Sequence, residues 1–312
     1  MGLKIVIIAL LSAPVFAQDS TYVRHFKDKL SVQMFALNTY NRFNVYYINE
    51  NLRVDIIPNQ KTTLNIGMQY DIASFSFGFA PSFFARNRDN QDSKILSFST
   101  VVYPGRFMQV MEFYYQKGMS LVNETPYVSI YLPQFRSIKI GGSTSFLFNR
   151  HFSYRAVSLQ NTKQLRSQGS FSPGIFYYYT SLDGRKDPSL GSRSNFLDMA
   201  AEMAYYYNWV IAKDFLLASG TSIGAGVSWA DDGDDSYTAS LYKASFMLAP
   251  GYNSERWFGG AQFRIHAGGH ESKSTVEISD TIGYVTAFIG YRFDAPPFLE
   301  RQKYRIKNKL KI

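Results

Sequence analysis

The side chains that could do chemistry are few. Histidine occurs four times, at His25, His151, His266 and His270, and cysteine not at all. His266 and His270 fall on one face of a strand, roughly 13 Å apart at about 3.3 Å per residue. That is too far for one metal ion unless Gly268-Gly269 folds the strand end and brings in Glu271. Two loop-edge histidines are the plainer reading. The run ADDGDDS holds Asp231, Asp232, Asp234 and Asp235, carboxylates of the kind Ca²⁺ accepts. It lacks the EF-hand spacing and closing Glu, which favours a solvated loop. His151 and Ser153 would share a face in extended chain, as a base and its nucleophile require. No acid stands beside them, and no G-x-S-x-G occurs. Gly224 and Gly226 sit inside a strand pattern, not ahead of a helix, so a phosphate-cradling loop is not supported. The sequence therefore predicts no catalytic residue, no metal site and no cofactor.

Charge clusters are what remain. Between Phe146 and Tyr179 the strand pattern lapses over Asn149–Gln168, where Arg150, Arg155, Lys163 and Arg166 gather with His151 and no anion. This stretch reads either as a solvated connection or as a plug folded into a barrel mouth. As a plug, Arg150, Arg155 or Arg166 would pair with Glu202 or Asp198. A second set is expected to face inward from strands and line a lumen: Glu112, Lys139, Asp198, Glu202, Lys243, Arg264, His266 and Arg292. Mixed signs on an inner wall either pair and fill a barrel or border a narrow aqueous path.

The elements that position these residues are strands. Leu30, Val32, Met34 and Ala36 share a face, and Phe43, Val45 and Tyr47 share another, with a phase slip between Asn38 and Asn41 that predicts a bulge. Leu64, Ile66, Met68 and Tyr70 lead through a tight turn near Asp71 to Phe75, Phe77 and Phe79, a hairpin. Leu96, Phe98 and Val102 reach the turn Pro104-Gly105-Arg106. The next strand has an ambiguous face, because Glu112 and Gln109 fall on opposite sides. The second half alternates more cleanly. Met199 through Trp209 set apolar against Asp198, Glu202 and Asn208, and Val285, Ala287, Ile289, Tyr291 and Phe293 close the pattern. Asn49–Lys61, 81–93, 118–134, 181–197 and 268–280 read as loops. Short turns alternate with long loops throughout if Asn149–Gln168 is one connection. The count is then about 12 strands, with 10 or 14 as alternatives.

Aromatics are 17% of the chain, with 23 Tyr and 26 Phe. No apolar run after the first residues is long enough for a spanning helix. A secreted β-sandwich would show mostly polar outward faces. The near-continuous apolar face instead favours an all-β, antiparallel up-and-down transmembrane barrel, whose closed strands satisfy each other's backbone groups. MGLKIVIIALLSAPVFA reads as a signal peptide cleaved after Ala17. The expected layout is signal peptide 1–17, periplasmic lead-in 18–29, barrel 30–293 and basic tail 294–312. The net charge of +9 belongs to the tail and the central segment, so nucleic acid is not an expected partner. Expected partners are outer-membrane lipid and lipopolysaccharide.

Three stretches carry a resemblance: NRHFSYRAVSLQNTKQLRSQGSF at 149–171, LNIGMQYDIASFSFGF at 64–79 and YYYNWVIAKDFLLASG at 205–220. They resemble a Bacteroidota family of predicted outer-membrane barrels known only as a domain of unknown function. The resemblance implies the fold and the outer membrane of a Gram-negative bacterium, and transfers no functional residue. The final FIGYRF looks like the signal read by the barrel-assembly machinery, an expected partner in biogenesis. The expected role is a porin-like channel or passive transporter of small solutes and not an enzyme. The alternatives are a non-conducting barrel acting through its external loops, or a lipid enzyme at the rim.

Overall fold

The computed structural model describes residues 21–26, 28–47, 52–58, 62–70, 73–84, 94–124, 127–186, 193–231, 236–271 and 276–301. A short strand β1 (Val23–His25) precedes β2 (Lys29–Tyr47). The next stave of the wall has two parts, β3 (Leu52–Pro58) and β4 (Thr62–Tyr70). Then come β5 (Ala73–Phe79), β6 (Lys94–Val102), β7 (Phe107–Glu124) and β8 (Tyr127–Phe146). A 3-10 turn (Tyr154–Ser158) and a short β9 (Thr162–Gln164) intervene before β10 (Gln168–Asp183). The wall is completed by β11 (Arg193–Ala212), β12 (Phe215–Asp231), β13 (Ser236–Asn253), β14 (Trp257–Glu271) and β15 (Val276–Asp294).

Neighbouring staves pair antiparallel, and β15 closes on β2 in one unbroken register from Asp294↔Lys29 to Val276↔Tyr47. The result is a closed twelve-stranded barrel, as the alternation predicts. Closure leaves no unpaired edge. Both described chain ends and the short turns lie at one end of the barrel, here the terminal end; the opposite end is the loop end. Among the described strands, only β1 and β9 stand outside the ring, paired with each other.

Alternation sets the two faces. On β11, Leu197, Met199, Met203, Tyr205, Tyr207, Trp209 and Ile211 are exposed, while Ala200, Ala204 and Asn208 are buried inside. The ambiguous strand resolves likewise. Glu112 faces in, whereas Gln109 shares the outer face with exposed Met111. Its amide donates to the Tyr177 hydroxyl at 2.6 Å and accepts from Thr144 at 2.6 Å. This trio satisfies itself along the wall, which removes most of the cost of polar groups on an apolar face.

Three expectations are corrected. Residues 52–58, read as loop, form β3; its Asp55 is buried, 3.4 Å from Arg42. The bulge expected within β2 lies on its neighbour instead. Asn38 pairs with Thr62 but Phe43 with Ile56, a one-residue excess on the β3–β4 stave. Most of 118–134, and the ends of 181–197 and 268–280, continue the strand ladders. The β5–β6 hairpin is shorter than its neighbours. Beyond it, β7 leaves β6 after Lys117 and pairs with β3 from Met119 to Val122. The register shift at Gly118, whose φ is 84°, makes that exchange of partners. A branched residue resists this backbone conformation. Gly118→Val should destabilise the barrel by roughly 1–3 kcal/mol, read as a lower urea midpoint in detergent by heat-modifiable gel mobility. An unchanged midpoint would refute this role for the bulge.

Candidate functional site

The connection from β8 to β10 turns inward at Asn149. The Asn149 side-chain amide donates to Gln168 and to the Gly169 carbonyl, and its carbonyl oxygen accepts from the His151 backbone at 2.9 Å. This is the local geometry by which Asn reverses a chain. The 3-10 turn follows, and Leu159 ends it in the left-handed region at φ 58°. A leucine is rare there. Its side chain is buried beside Gly251, where an added Cβ would lie 2.2 Å from Leu159 Cδ1. Ala156, Val157 and Leu159 pack against Leu216, Ala218, Met247, Ala249 and Phe258 on the inner wall of β12 to β14.

Polar contacts then reach around the ring. Asn161 donates to the carbonyls of Lys29 and Gln69, both at 3.0 Å, and accepts from Ser31. Gln160 meets Ser74 on β5 at 3.4 Å. Asn208 on β11 donates to the Ser153 carbonyl at 2.9 Å, and Asn253 on β13 to that of Thr162 at 3.1 Å. The terminal end is filled by residues of this segment from Phe152 to Gln164, most of them buried.

The cations of the segment do not go where the sequence suggests. Arg150 and Arg166 lie exposed at the rim, with Arg166 over the ring of Tyr22. Arg155 donates to the Tyr103 carbonyl at 2.9 Å and lies 4.6 Å over that ring. Burial, followed by the nearby Tyr154, pushes the Tyr103 phenol well above its ordinary range. Lys163 pairs with Asp214 at 2.5 Å. Asp198 accepts from Ser228 at 2.6 Å, and Glu202 points inward beside Tyr206.

Of the expected lumen residues, Glu112, Lys139, Asp198, Glu202, Lys243, Arg264 and His266 all face inward and are half-buried. Glu112 accepts from the Tyr178 hydroxyl. Lys139 lies 4.8 Å from the Tyr178 ring, which packs 4.5 Å from Phe176, and Lys243 caps the Phe176 ring. These four side chains form a line of contacts from β8 through β10 to β13. Arg264 reaches the Tyr154 hydroxyl of the segment at 3.0 Å, and His266 lies edge-on to Tyr284.

Arg292 is different. It is fully buried at the terminal end and lines no open space. Its guanidinium donates to the carbonyls of Leu159 and Gln160 in the segment, to those of Ser254 and Glu255 in the β13–β14 turn, and to Asn253 Oδ1. The rings of Phe26 and Phe258 cover it at 3.9 and 4.8 Å.

Sequence reasoning set Asn208 on the inner face but missed that it, Asn161 and Asn253 hold the segment, and it missed the buried Gln69. The available signal was a large amide at inward positions near strand ends where Ser and Gly otherwise alternate. His151 stacks on Tyr22 at 4.2 Å and Ser153 is buried. The side chains of His270 and Glu271 and residues 232–235 lie outside the described residues. Among the described residues, no group of three His, Asp or Glu side chains is placed to hold a metal.

A family model described as a domain of unknown function (DUF4421) matches residues 17–293. A comparison with curated proteins found no match. Solved structures with similarity include the outer membrane protease OmpT from Escherichia coli, at TM-score 0.42 and 10% identity over 86% of this chain and 98% of that one. An outer membrane channel from Pseudomonas putida F1 gives 0.38 and 8% over 89% and 100%. The translocator domain of the autotransporter NalP from Neisseria meningitidis gives 0.39 and 11% over 94% of each. Likeness at this level transfers no activity.

Removing the Arg292 guanidinium would strand several buried carbonyls at once. Arg292→Met should cost on the order of 3 kcal/mol, seen as a lower thermal midpoint in detergent. An unchanged midpoint would mean the caged charge contributes nothing to holding the terminal end.

Proposed function

We propose, for a chain that belongs to the DUF4421 family of domains of unknown function, an outer-membrane barrel that is closed at rest. Small solutes would pass only when the segment 149–168 leaves the terminal end. The outward apolar faces and the signal-like N-terminus support the outer membrane as its location. One observation carries the closed state. The segment's residues at the terminal end are almost fully buried, whereas the charged residues farther along the lumen are half-buried. That gradient supports a solvated vestibule above a sealed floor. Three cations, Lys139, Lys243 and Arg264, face three carboxylates, Glu112, Asp198 and Glu202, so the vestibule supports neutral or small charged solutes of either sign.

A second reading has its own support. A strand needs about 9–11 residues to cross a bilayer, yet β8 and β11 have 20 each. The wall therefore projects well beyond a membrane and offers surface for an interaction partner. In this reading the floor stays shut and the barrel conducts nothing in any state.

Planar-bilayer recordings separate the two. The refolded parent should be silent, and a variant with 151–166 replaced by a short Gly/Ser linker should give steady current steps. Glu202→Lys in that variant should shift reversal potentials toward anions. Steady conductance by the parent would refute closure at rest. Silence in both proteins would refute the solute path and leave the interaction barrel.

A further inference from the structure

The lead-in, read from sequence as a polar approach to the barrel, is part of its floor. Asp28, at φ 56°, turns the chain sharply ahead of β2 and is fixed there by the Ala295 backbone donating to its carbonyl. Aspartate tolerates that backbone better than most residues. The reversal sends Tyr22–Phe26 back across the mouth. There Val23 and Phe26 are buried, and β1 pairs antiparallel with β9 in the register Val23↔Gln164, Arg24↔Lys163, His25↔Thr162. The pairing extends at both ends. Leu165 donates to the Tyr22 carbonyl at 2.8 Å, and Phe26 to that of Asn161 at 3.0 Å. Side chains add to it: His151 and Arg166 both lie against the Tyr22 ring, and Phe26 covers Arg292.

This strand pair belongs to the floor and not to the wall. The inner segment is tethered at each end by β8 and β10, and Asn161, Lys163 and Leu165 turn their backbone groups to Tyr22–Phe26. Without that stretch these N–H and C=O groups would face a largely buried site unpaired, which a backbone avoids. The hold is also limited. It spans three ladder positions, and its outer tie is an exposed ion pair, Arg24–Glu255 at 2.6 Å, of a kind worth little in water.

We infer that Tyr22–Phe26 is a latch: an autoinhibitory strand that keeps 149–168 inside the barrel and whose withdrawal releases it. The latch lies at the terminal end and the vestibule opens at the other, so release is controlled from the side opposite to solute entry. The inference rests on the closed-floor reading for its effect on conductance. Its structural content can be tested without current.

The segment carries trypsin sites at Arg155 and Lys163 within the floor, besides Arg150 and Arg166, which are exposed at the rim, and a chain without cysteine accepts an engineered disulfide cleanly. Three folded proteins are compared, folding being checked by heat-modifiable mobility: Arg24→Pro, which removes the ladder donor opposite Lys163; a deletion of 18–26; and the Val23→Cys/Gln164→Cys pair. The first two should be cut at Arg155 or Lys163 at least tenfold faster than the parent. The oxidised pair should be cut there more slowly than its reduced form. Arg24→Pro should also conduct intermittently where the parent is silent. Cleavage at the parent rate in Arg24→Pro, or in the deletion if it alone folds, overturns the latch whatever the currents show. Faster cleavage in barrels that stay silent, with the linker variant silent too, upholds the latch and rejects the solute path instead.

Discussion

The terminal end of this barrel depends on a buried guanidinium. Arg292 sits on the last strand with no solvent contact, and the partners of its hydrogen bonds are neutral oxygens. Taking such a charge out of water costs several kcal/mol. The compensation comes from several carbonyl dipoles aimed at one centre, each charge-assisted bond being worth about 1.5–3 kcal/mol, and from two aromatic faces. The carbonyls come from the inner segment and the β13–β14 turn, and one ring comes from the lead-in. Four parts of the chain far apart in sequence must therefore be in place together. The strand that carries Arg292 also closes the barrel against β2, so closure of the wall and formation of the floor are one event.

Around that centre, size is matched across the wall. Gly251 gives room to Leu159, and Gly220 to the ring of Tyr206, where an added Cβ would come within 2.3 Å. Leu159 keeps an unfavourable backbone because its side chain fills that space and its carbonyl serves Arg292. Strain of this kind persists where surroundings over-determine it. The floor is thus a packed apolar layer beneath a polar network, whereas the lumen beyond it is lined by aromatic rings and half-buried charged side chains. A twelve-stranded ring is wider than the eight-stranded ring that side chains alone fill, and at the terminal end the inner segment occupies the added space.

The wall was legible in the sequence and much of the floor was not. Alternation at Leu197–Ile211 or Val285–Phe293 exposes the outward face directly, because lipid on one side and polar lumen on the other demand opposite chemistry at successive residues. Where the wall rises beyond an apolar belt, both faces can be polar and the alternation fades although the ladder continues. That is why 52–58 and most of 118–134 read as loops. The lead-in misled for another reason. A three-residue strand has no periodicity to detect, and its partner lies about 140 residues away, a pairing that no local pattern contains.

The cations of the inner segment show why counting charges misplaced its contacts. Pairing with Asp198 or Glu202 would have required long side chains to leave the floor and cross the half-buried lumen. Nearer acceptors were available. Turns at the terminal end present carbonyls and ring faces that no strand uses, and Arg155 takes both from Tyr103. Lys163, a compact charge with a short reach, meets the one carboxylate in the β11–β12 turn, Asp214. Arg150 and Arg166 remain at the rim in water, where a charge costs nothing to keep. The basic character of 149–168 therefore answers to no single partner: one cation meets a backbone carbonyl, one a carboxylate, and two stay at the surface. The acidic residues of the lumen are left to Ser228, Tyr178 and Arg264, groups on the wall itself. Floor and vestibule therefore meet at the Arg264–Tyr154 hydrogen bond, whereas the hydrogen bonds that hold Asp198 and Glu112 lie wholly on the wall.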